Sequence, residues 1–427
     1  MILETKKSTL RGRVSIPASK SHTIRAVAIA SLAEGTSKIH NPLISNDALS
    51  AVKCYEKLGA NVDITDDKKW IIKGLGGRIE TKNRQIDVGN SGTTLRLAAG
   101  SAALASPDAV IQLTGDAQIQ ARPIDSLLSS LCDLGTQAVS IKKNGCAPIQ
   151  ISGQLTGGCT SIECFTSQYL SSLLLACPLA GGDCEIQVPL LNEPDYVRIT
   201  LDWLDKQNIR LERDGLKRFF IPGGQHYKAF DLPIPADFSS ATFFLCAGAI
   251  LGEDILVEGL DFDDSQPDKM VTEYLKAMGA DIKQETDGIR VKKSELKGVE
   301  IDMNRTPDAL PAMAVTAAFA QGTTRLVNVP QARKKETDRI ACMARELTKL
   351  GADVEELPDG LMIHGGKPLS AAAVHGWEDH RIVMALSLAG MALEGTTQID
   401  TAEAMNVTFP TFITLMNNLG AFIVFKP

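Results

Sequence analysis

The sequence predicts an α/β protein built from repeated units and divided into two domains of about three units each. Three observations carry this. A polar cluster leading into a small-residue helix, then a Gly, then a β-branched run, recurs at Lys20–Arg25, Asn90–Arg96, Thr166–Gln168, Asp237–Ser240, Pro307–Asp308 and Glu378–Arg381. Each copy also carries a second, amphipathic helix. These end at Leu58-Gly59-Ala60, Leu134-Gly135, Gln207-Asn208, Met278-Gly279-Ala280, Leu350-Gly351-Ala352 and Leu419-Gly420-Ala421, where Gly or Asn suits a left-handed C-cap. Those marks lie roughly 70 to 76 residues apart. Finally, 427 residues exceed what one ordinary core organises.

Composition narrows the class. A hydrophobic content of 44% with 22% charged residues is that of a soluble globular chain. No apolar run reaches the roughly 18 residues of a membrane span, and Met1–Arg13 lacks the apolar core of a signal peptide. Nine cysteines show neither a Cys-x-x-Cys pair nor a metal spacing, so they read as packing residues in a reducing cytoplasm. The net charge of −7 argues against a nucleic-acid partner and makes the cationic clusters local features.

The first unit opens with Pro17-Ala18-Ser19-Lys20-Ser21-His22-Thr23-Ile24-Arg25. Ser19 or Ser21 can cap the helix over the apolar run Ala26–Leu32, and Lys20 and Arg25 add formal charge to an already positive helix end. A solvated, capped helix start would use the same residues; the recurrence favours an anion site. Gly12–Ile16, Ser37–His40 and Asn61–Thr65 read as strands, and Gly74–Gly77 as a loop matching no dinucleotide fingerprint. No phosphate-binding Gly-x-x-x-x-Gly-Lys-[Ser/Thr] string occurs anywhere.

In the second unit, Gly89 and Gly92 permit close approach of a ligand to the backbone, while Asn90, Ser91 and Thr93 offer caps and donors. Strand Val110–Leu113 leads to Arg122-Pro123, with Pro123 expected to start the next helix. In the third, Thr166, Ser167 and Gln168 are neutral donors ahead of a Leu-rich helix, equally suited to capping and to phosphate. Phe230–Phe238, with Pro233 and Pro235, is the most linker-like stretch. The expected domains are therefore residues 18–234, and residues 1–17 with 235–427, the N-terminal strand completing the second. In that second half, Asp308 reads as a first-turn acid or a base. Lys335, Glu336 and Arg339 are expected on one helix, Glu336 and Arg339 sharing a face. His380 has no second His at a ligating distance in sequence, which leaves no metal site.

Taken together, Lys20-Ser21-x-x-x-Arg25, Gly89-Asn90-x-Gly92-Thr93-x-x-Arg96, Arg122-Pro123, Ser167-Gln168, Pro307-Asp308, Lys335-Glu336-Thr337-Asp338-Arg339 and Asp379-His380-Arg381 resemble the 5-enolpyruvylshikimate-3-phosphate synthase family in order and spacing along essentially the whole chain. The resemblance implies a two-domain inside-out α/β barrel with three βαβαββ units per domain and helix starts facing an active-site cleft. It implies transfer of the enolpyruvyl group of phosphoenolpyruvate to the 5-hydroxyl of shikimate 3-phosphate, without cofactor or metal, by a cytoplasmic monomer with no membrane or nucleic-acid partner. By the same resemblance, Lys20, Ser21, Arg25, Thr166, Ser167, Gln168, Asp308, Gln331 and Lys335 would hold shikimate 3-phosphate. Lys20, Asn90, Gly92, Arg122, Gln168, Arg339 and Arg381 would hold phosphoenolpyruvate. Asp308 would take the hydroxyl proton, and Glu336, helped by Lys20, would protonate the methylene carbon.

Four positions depart from that family's pattern. Val407 stands where several members have a Lys contacting phosphoenolpyruvate, Gln331 replaces an Asn near the shikimate phosphate, Leu97 replaces a Pro, and Glu193 falls where a Ser is common. Three rival readings fit the sequence less well. The related enzyme acting on UDP-N-acetylglucosamine carries a Cys where this chain has Ala117, RNA 3′-phosphate cyclases need a nucleotide and a nucleophilic His, and a non-catalytic anion-binding relative would be expected to lose Asp308 or Glu336.

Overall fold

The computed structural model describes residues 1–80 and 83–426. They divide into two compact units, Ala18–Ile234 and Met1–Pro17 with Pro235–Pro427, each with its own hydrophobic core.

The repeat is visible in the sheets. There are six four-stranded sheets among the described residues, and each contains one parallel and two antiparallel pairings. The clearest copy runs strand Asn83–Asp87, helix Gly92–Ala102, strand Val110–Thr114, helix Asp125–Asp133, and strands Gln137–Ser140 and Ile149–Ser152. This is the βαβαββ order. Three copies borrow a strand. Asp231–Pro233 lies parallel to Lys38–His40 and completes the first sheet, and Leu10–Ser15 lies parallel to the strand Gly252–Glu258. The stretch read as a linker is thus a strand in its first half. Strand Ile2–Lys6 fills the gap between Thr396–Ile399 and Phe422–Lys426.

The first helix of each copy is buried within its unit and the sheets lie outside it, which is the inside-out arrangement. Helix Phe238–Leu251 is buried along its whole length, as is nearly all of His380–Ala392, so Ala, Gly and Ser are needed where helices meet. Gly100 shows the reason. A Cβ there would lie 2.6 Å from Ser172 Oγ on the neighbouring helix Ser167–Ala176, an oxygen that instead accepts from Gly100 N at 3.2 Å and donates to Arg96 O at 2.6 Å. The second helices are one-sided, and the residue after each C-cap has positive φ: Gly59, Gly135, Asn208, Gly279, Gly351 and Gly420. The sixfold end-mark reflects that backbone requirement.

Some local expectations change. The helix after Arg122 starts at Asp125, so Pro123 lies outside it. Lys335–Thr337 precede the helix Arg339–Lys349, whose N-cap is Asp338. The Glu336–Arg339 pair therefore spans a helix start rather than a helix face. Cysteines 54, 164, 177, 184, 246 and 342 are buried as expected of packing residues, but Cys132 and Cys159 are exposed and Cys146 is half-buried. Among the described residues no helix is long and apolar enough to cross a membrane.

A tight spacing tests the packing. A Cβ on Gly390, in the helix His380–Ala392, would come within 1.9 Å of Thr5 Oγ1 and 2.8 Å of Thr397 Cβ, a pair joined across the sheet. Gly390→Ala is expected to cost about 1–3 kcal/mol, as overpacked cores do, seen as a lower thermal midpoint by calorimetry. An unchanged midpoint would mean that the strands move aside without cost.

Candidate active site

Each unit assembles a cluster of cations at the starts of its buried helices. In Ala18–Ile234, Ser19 caps Lys20–Leu32, Ser91 caps Gly92–Ala102 and Thr166 caps Ser167–Ala176. Small hydroxyl residues at these positions accept from the first-turn N–H groups and leave room above the helix end. Lys20 Nζ pairs with Asp47 at 3.1 Å, an acid in the first turn of helix Asn46–Lys57. Ser21, half-buried, offers its carbonyl to Arg25.

Arg25 is buried, and four neutral oxygens surround it: Thr200 Oγ1 at 2.8 Å, Ser21 O at 3.0 Å, Tyr196 O at 3.2 Å and Ser171 Oγ at 3.3 Å. Burial pushes its pKa down to about 10, so it stays charged at neutral pH. Its bonds make it a post that fixes the first helix to Ser171 and Thr200.

Gly92 occupies the gap between two guanidiniums. A Cβ on it would lie 2.8 Å from both Arg96 Nη1 and Arg122 Nη1. Both arginines are buried, and burial together with the Arg122 charge pulls the pKa of Arg96 down. Arg96 is steadied by Gln168 Oε1 at 2.8 Å, Gly92 O and Pro123 O at 3.3 Å, and the ring of Tyr169. Gln168 is held in turn by Thr93 at 3.1 Å. Two like charges kept this close in a buried place favour an anion between them. Asn90 donates to Asp116 and Gln118, both at 2.6 Å. Thr166 and Ser167 both donate to Glu193.

The other unit arranges acids and cations around Arg339. This side chain, 1% exposed, donates to Asp379 Oδ2 at 2.8 Å, to Asp308 Oδ1 at 2.8 Å and to Glu336. Burial opposes its charge, but Asp379, Glu336 and Asp308 outweigh that and raise its pKa. Asp308, in the turn Pro307–Ala309, also meets Arg381 Nη2 at 2.9 Å and Lys335 Nζ at 3.8 Å. Asp379 is fully buried and caps the helix that carries Arg381, accepting from Arg381 N at 2.8 Å. Gln331 is buried with its Nε2 on Asn304 O at 3.2 Å, so its amide faces inward. Val407 ends the turn Ala402–Val407. Arg333 is bound to Asp338 and Glu356, and Lys38 to Asp231.

The arrangement can bind polyanions and move protons. It brings Asp308, Lys335, Glu336, Arg339 and Arg381 together in one unit, and Gly92, Arg122 and Gln168 in the other. Asp379, Asp47, Arg96 and Tyr169 are the supporting residues that sequence reasoning left without a role. Among the described residues, no group of three or more His, Cys, Asp or Glu is arranged to hold a metal ion.

A family model described as EPSP synthase (3-phosphoshikimate 1-carboxyvinyltransferase) matches residues 4–416. The chain belongs to the EPSP synthase family. Among EPSP synthase relatives, the 3-phosphoshikimate 1-carboxyvinyltransferase of Ruminiclostridium cellulolyticum is 51% identical over 98% of this chain and 99% of its own. That of Methanococcus aeolicus is 40% identical over 100% of both. The solved structure of EPSP synthase from Acinetobacter baumannii superposes with a TM-score of 0.82 at 27% identity, covering 99% of this chain and 100% of that one.

Arg339 should prove structural as well as functional. Arg339→Met leaves three acids without their shared cation and is expected to cost about 3–5 kcal/mol of stability, as broken buried pairs do. Urea denaturation measures it; a loss below about 1 kcal/mol would mean that the acids find water or other cations at little cost.

Proposed function

We propose that this protein transfers the enolpyruvyl group of phosphoenolpyruvate to the 5-hydroxyl of shikimate 3-phosphate and releases phosphate, the step that its family's name describes in aromatic amino-acid biosynthesis. The observation that carries the site assignment is Asp308 set between Arg339, Arg381 and Lys335, with Glu336 on the same Arg339.

On this reading, Lys20, Ser21, Arg25, Thr166, Ser167, Gln168, Gln331 and Lys335 serve shikimate 3-phosphate. Lys20, Asn90, Gly92, Arg122, Gln168, Arg339 and Arg381 serve phosphoenolpyruvate. Arg25 is anchored by Ser21, Ser171, Tyr196 and Thr200, and Gln331 by Asn304. Both substrates are polyanions, so buried guanidiniums and helix N-termini supply the matching field. The arriving phosphoenolpyruvate engages Arg339 and Arg381 and so loosens their hold on Asp308, freeing a carboxylate to accept a proton. Asp308 takes the proton of the 5-hydroxyl as its oxygen bonds to C2 of phosphoenolpyruvate. Glu336, assisted by Lys20, gives a proton to the methylene carbon. The tetrahedral adduct then expels phosphate while the Glu336 carboxylate takes back a methyl proton, restoring the double bond and the acid, and the proton on Asp308 departs with the phosphate. The reaction so written uses no cofactor, and residues for both substrates belong to one chain, which acts as a cytoplasmic monomer. A phosphate-release assay with purified protein and both substrates tests the whole reading; no release would overturn it.

Two variants separate binding from chemistry. Asp308→Asn keeps the shape but removes the base, and turnover should fall on the order of 10²-fold or more with both substrates still bound. Arg122→Ala should instead raise the KM for phosphoenolpyruvate. Loss of binding with turnover intact in Asp308→Asn would reverse these roles.

Val407 supplies no charge where several members of the resembled family have a Lys. A charge-assisted contact contributes roughly 1.5–3 kcal/mol, and Arg333 and Lys38 are engaged elsewhere. Val407→Lys is therefore expected to lower the KM for phosphoenolpyruvate and leave that for shikimate 3-phosphate unchanged. Steady-state titration of both substrates decides it, and an equal or higher constant for phosphoenolpyruvate would show that another group fills the charge.

A further inference from the structure

The start of helix Ser167–Ala176 already holds an anion of the protein's own. One carboxylate oxygen, Glu193 Oε2, receives Ser167 Oγ at 2.8 Å, Thr166 Oγ1 at 3.0 Å and the backbone N–H of Ser167 at 3.2 Å. Glu193 and Ser167 are each 2% exposed. A single oxygen gathering two hydroxyls and a first-turn N–H is how a phosphate oxygen sits at a helix N-terminus. The Glu193 charge also acts on the buried Arg96, opposing the fall in its pKa.

The backbone is bent to put the carboxylate there. Glu193 has φ 57° and ψ 46°, the left-handed region that is unfavourable for a non-Gly residue. It also precedes Pro194, which disfavours helical backbone at the residue before it. Such strain persists where the surroundings over-determine it, commonly at ligand seats and switches. The donors at this helix start are the Thr166 and Ser167 hydroxyls and the Ser167 N–H. Glu both reaches them and carries the charge of the group that they are expected to bind.

We propose that Glu193 is an internal competitor for the shikimate 3-phosphate seat. Its carboxylate occupies Thr166 and Ser167 in the ligand-free protein and must swing away before the substrate's phosphate can take their donors. This rests on the proposed function, which assigns those residues to shikimate 3-phosphate. The energy needed to displace Glu193 is subtracted from substrate binding, because a ligand shifts such an equilibrium only by its differential affinity for the two arrangements. The device screens the seat. A dianionic phosphate attached to a ring that makes further contacts displaces Glu193, while a weakly held free anion such as inorganic phosphate does not.

Calorimetric titration of shikimate 3-phosphate alone into wild type, Glu193→Ala and Glu193→Gln tests it, with phosphate release followed in parallel. Both variants should bind shikimate 3-phosphate about ten-fold more tightly, the effect of removing one competing charge-assisted contact. Their KM for shikimate 3-phosphate should fall, and inorganic phosphate should become a measurable competitor. Glu193→Gln preserves the side-chain shape, so it decides the matter if the Ala variant fails to fold. A wild type that neither binds shikimate 3-phosphate nor releases phosphate would refute the functional reading. A wild type that does both, beside a Gln variant binding with equal or weaker affinity, would refute the competitor role and make Glu193 a substrate contact or a helix brace.

Discussion

A charge removed from water has to find a partner of opposite sign, and Arg339 shows how far that constraint shapes this protein. Its guanidinium is 1% exposed and touches Asp308, Glu336 and Asp379. Burying the cation would be costly without the three acids, and burying the acids would be costly without the cation. Asp379 must then be fixed, which capping helix His380–Ala392 achieves. Asp308 must be fixed, and the turn Pro307–Ala309 running straight into helix Leu310–Ala318 does so. The helices are buried because each is packed against the others and against a sheet, and the sheets exist because the chain repeats one α/β unit. Fold and site thus answer the same electrostatic demand.

The other unit meets the constraint differently. Arg25 is satisfied by neutral oxygens only, and Arg96 and Arg122 face each other across Gly92. Like charges this close are unfavourable in a buried place: the Arg122 charge lowers the pKa of Arg96, and the Glu193 charge opposes that fall. One unit surrounds an arginine with acids, and the other holds Arg25 among neutral oxygens and pairs Lys20 with Asp47.

Much of this was legible in the sequence, for identifiable reasons. Helix caps are local, so Ser19, Ser91, Thr166, Asp237 and Asp379 could be read as polar residues ahead of small apolar runs. The left-handed ends at Gly59 through Gly420 depend on one residue's backbone and were equally readable. What depended on distant partners was not. Asp47 resembles any first-turn acid until Lys20 is found beside it, and Asp379 resembles a cap until Arg339 arrives from forty residues away. The stretch Lys335–Arg339 misled for the opposite reason. Its spacing fits a helix, but Asp338 caps the helix there and pushes the preceding residues into an irregular turn. Glu193 stood out only as an unusual residue, and its meaning came from the three donors around it.

The borrowed strands impose an order on biosynthesis. Residues 18–234 contain every strand of their three sheets, including Asp231–Pro233, so that unit has all its parts while the ribosome is still working. Leu10–Ser15 must instead wait for Gly252–Glu258, and Ile2–Lys6 for Phe422–Lys426 near the far end of the chain. At about 5–20 residues per second, the first strand spends roughly twenty seconds or more with unsatisfied backbone edges. Lys6 and Lys7 follow its Ile-Leu pair, and Arg11 and Arg13 punctuate the next strand. Charge at such places is the general means by which a strand waiting for its partners avoids pairing edge to edge.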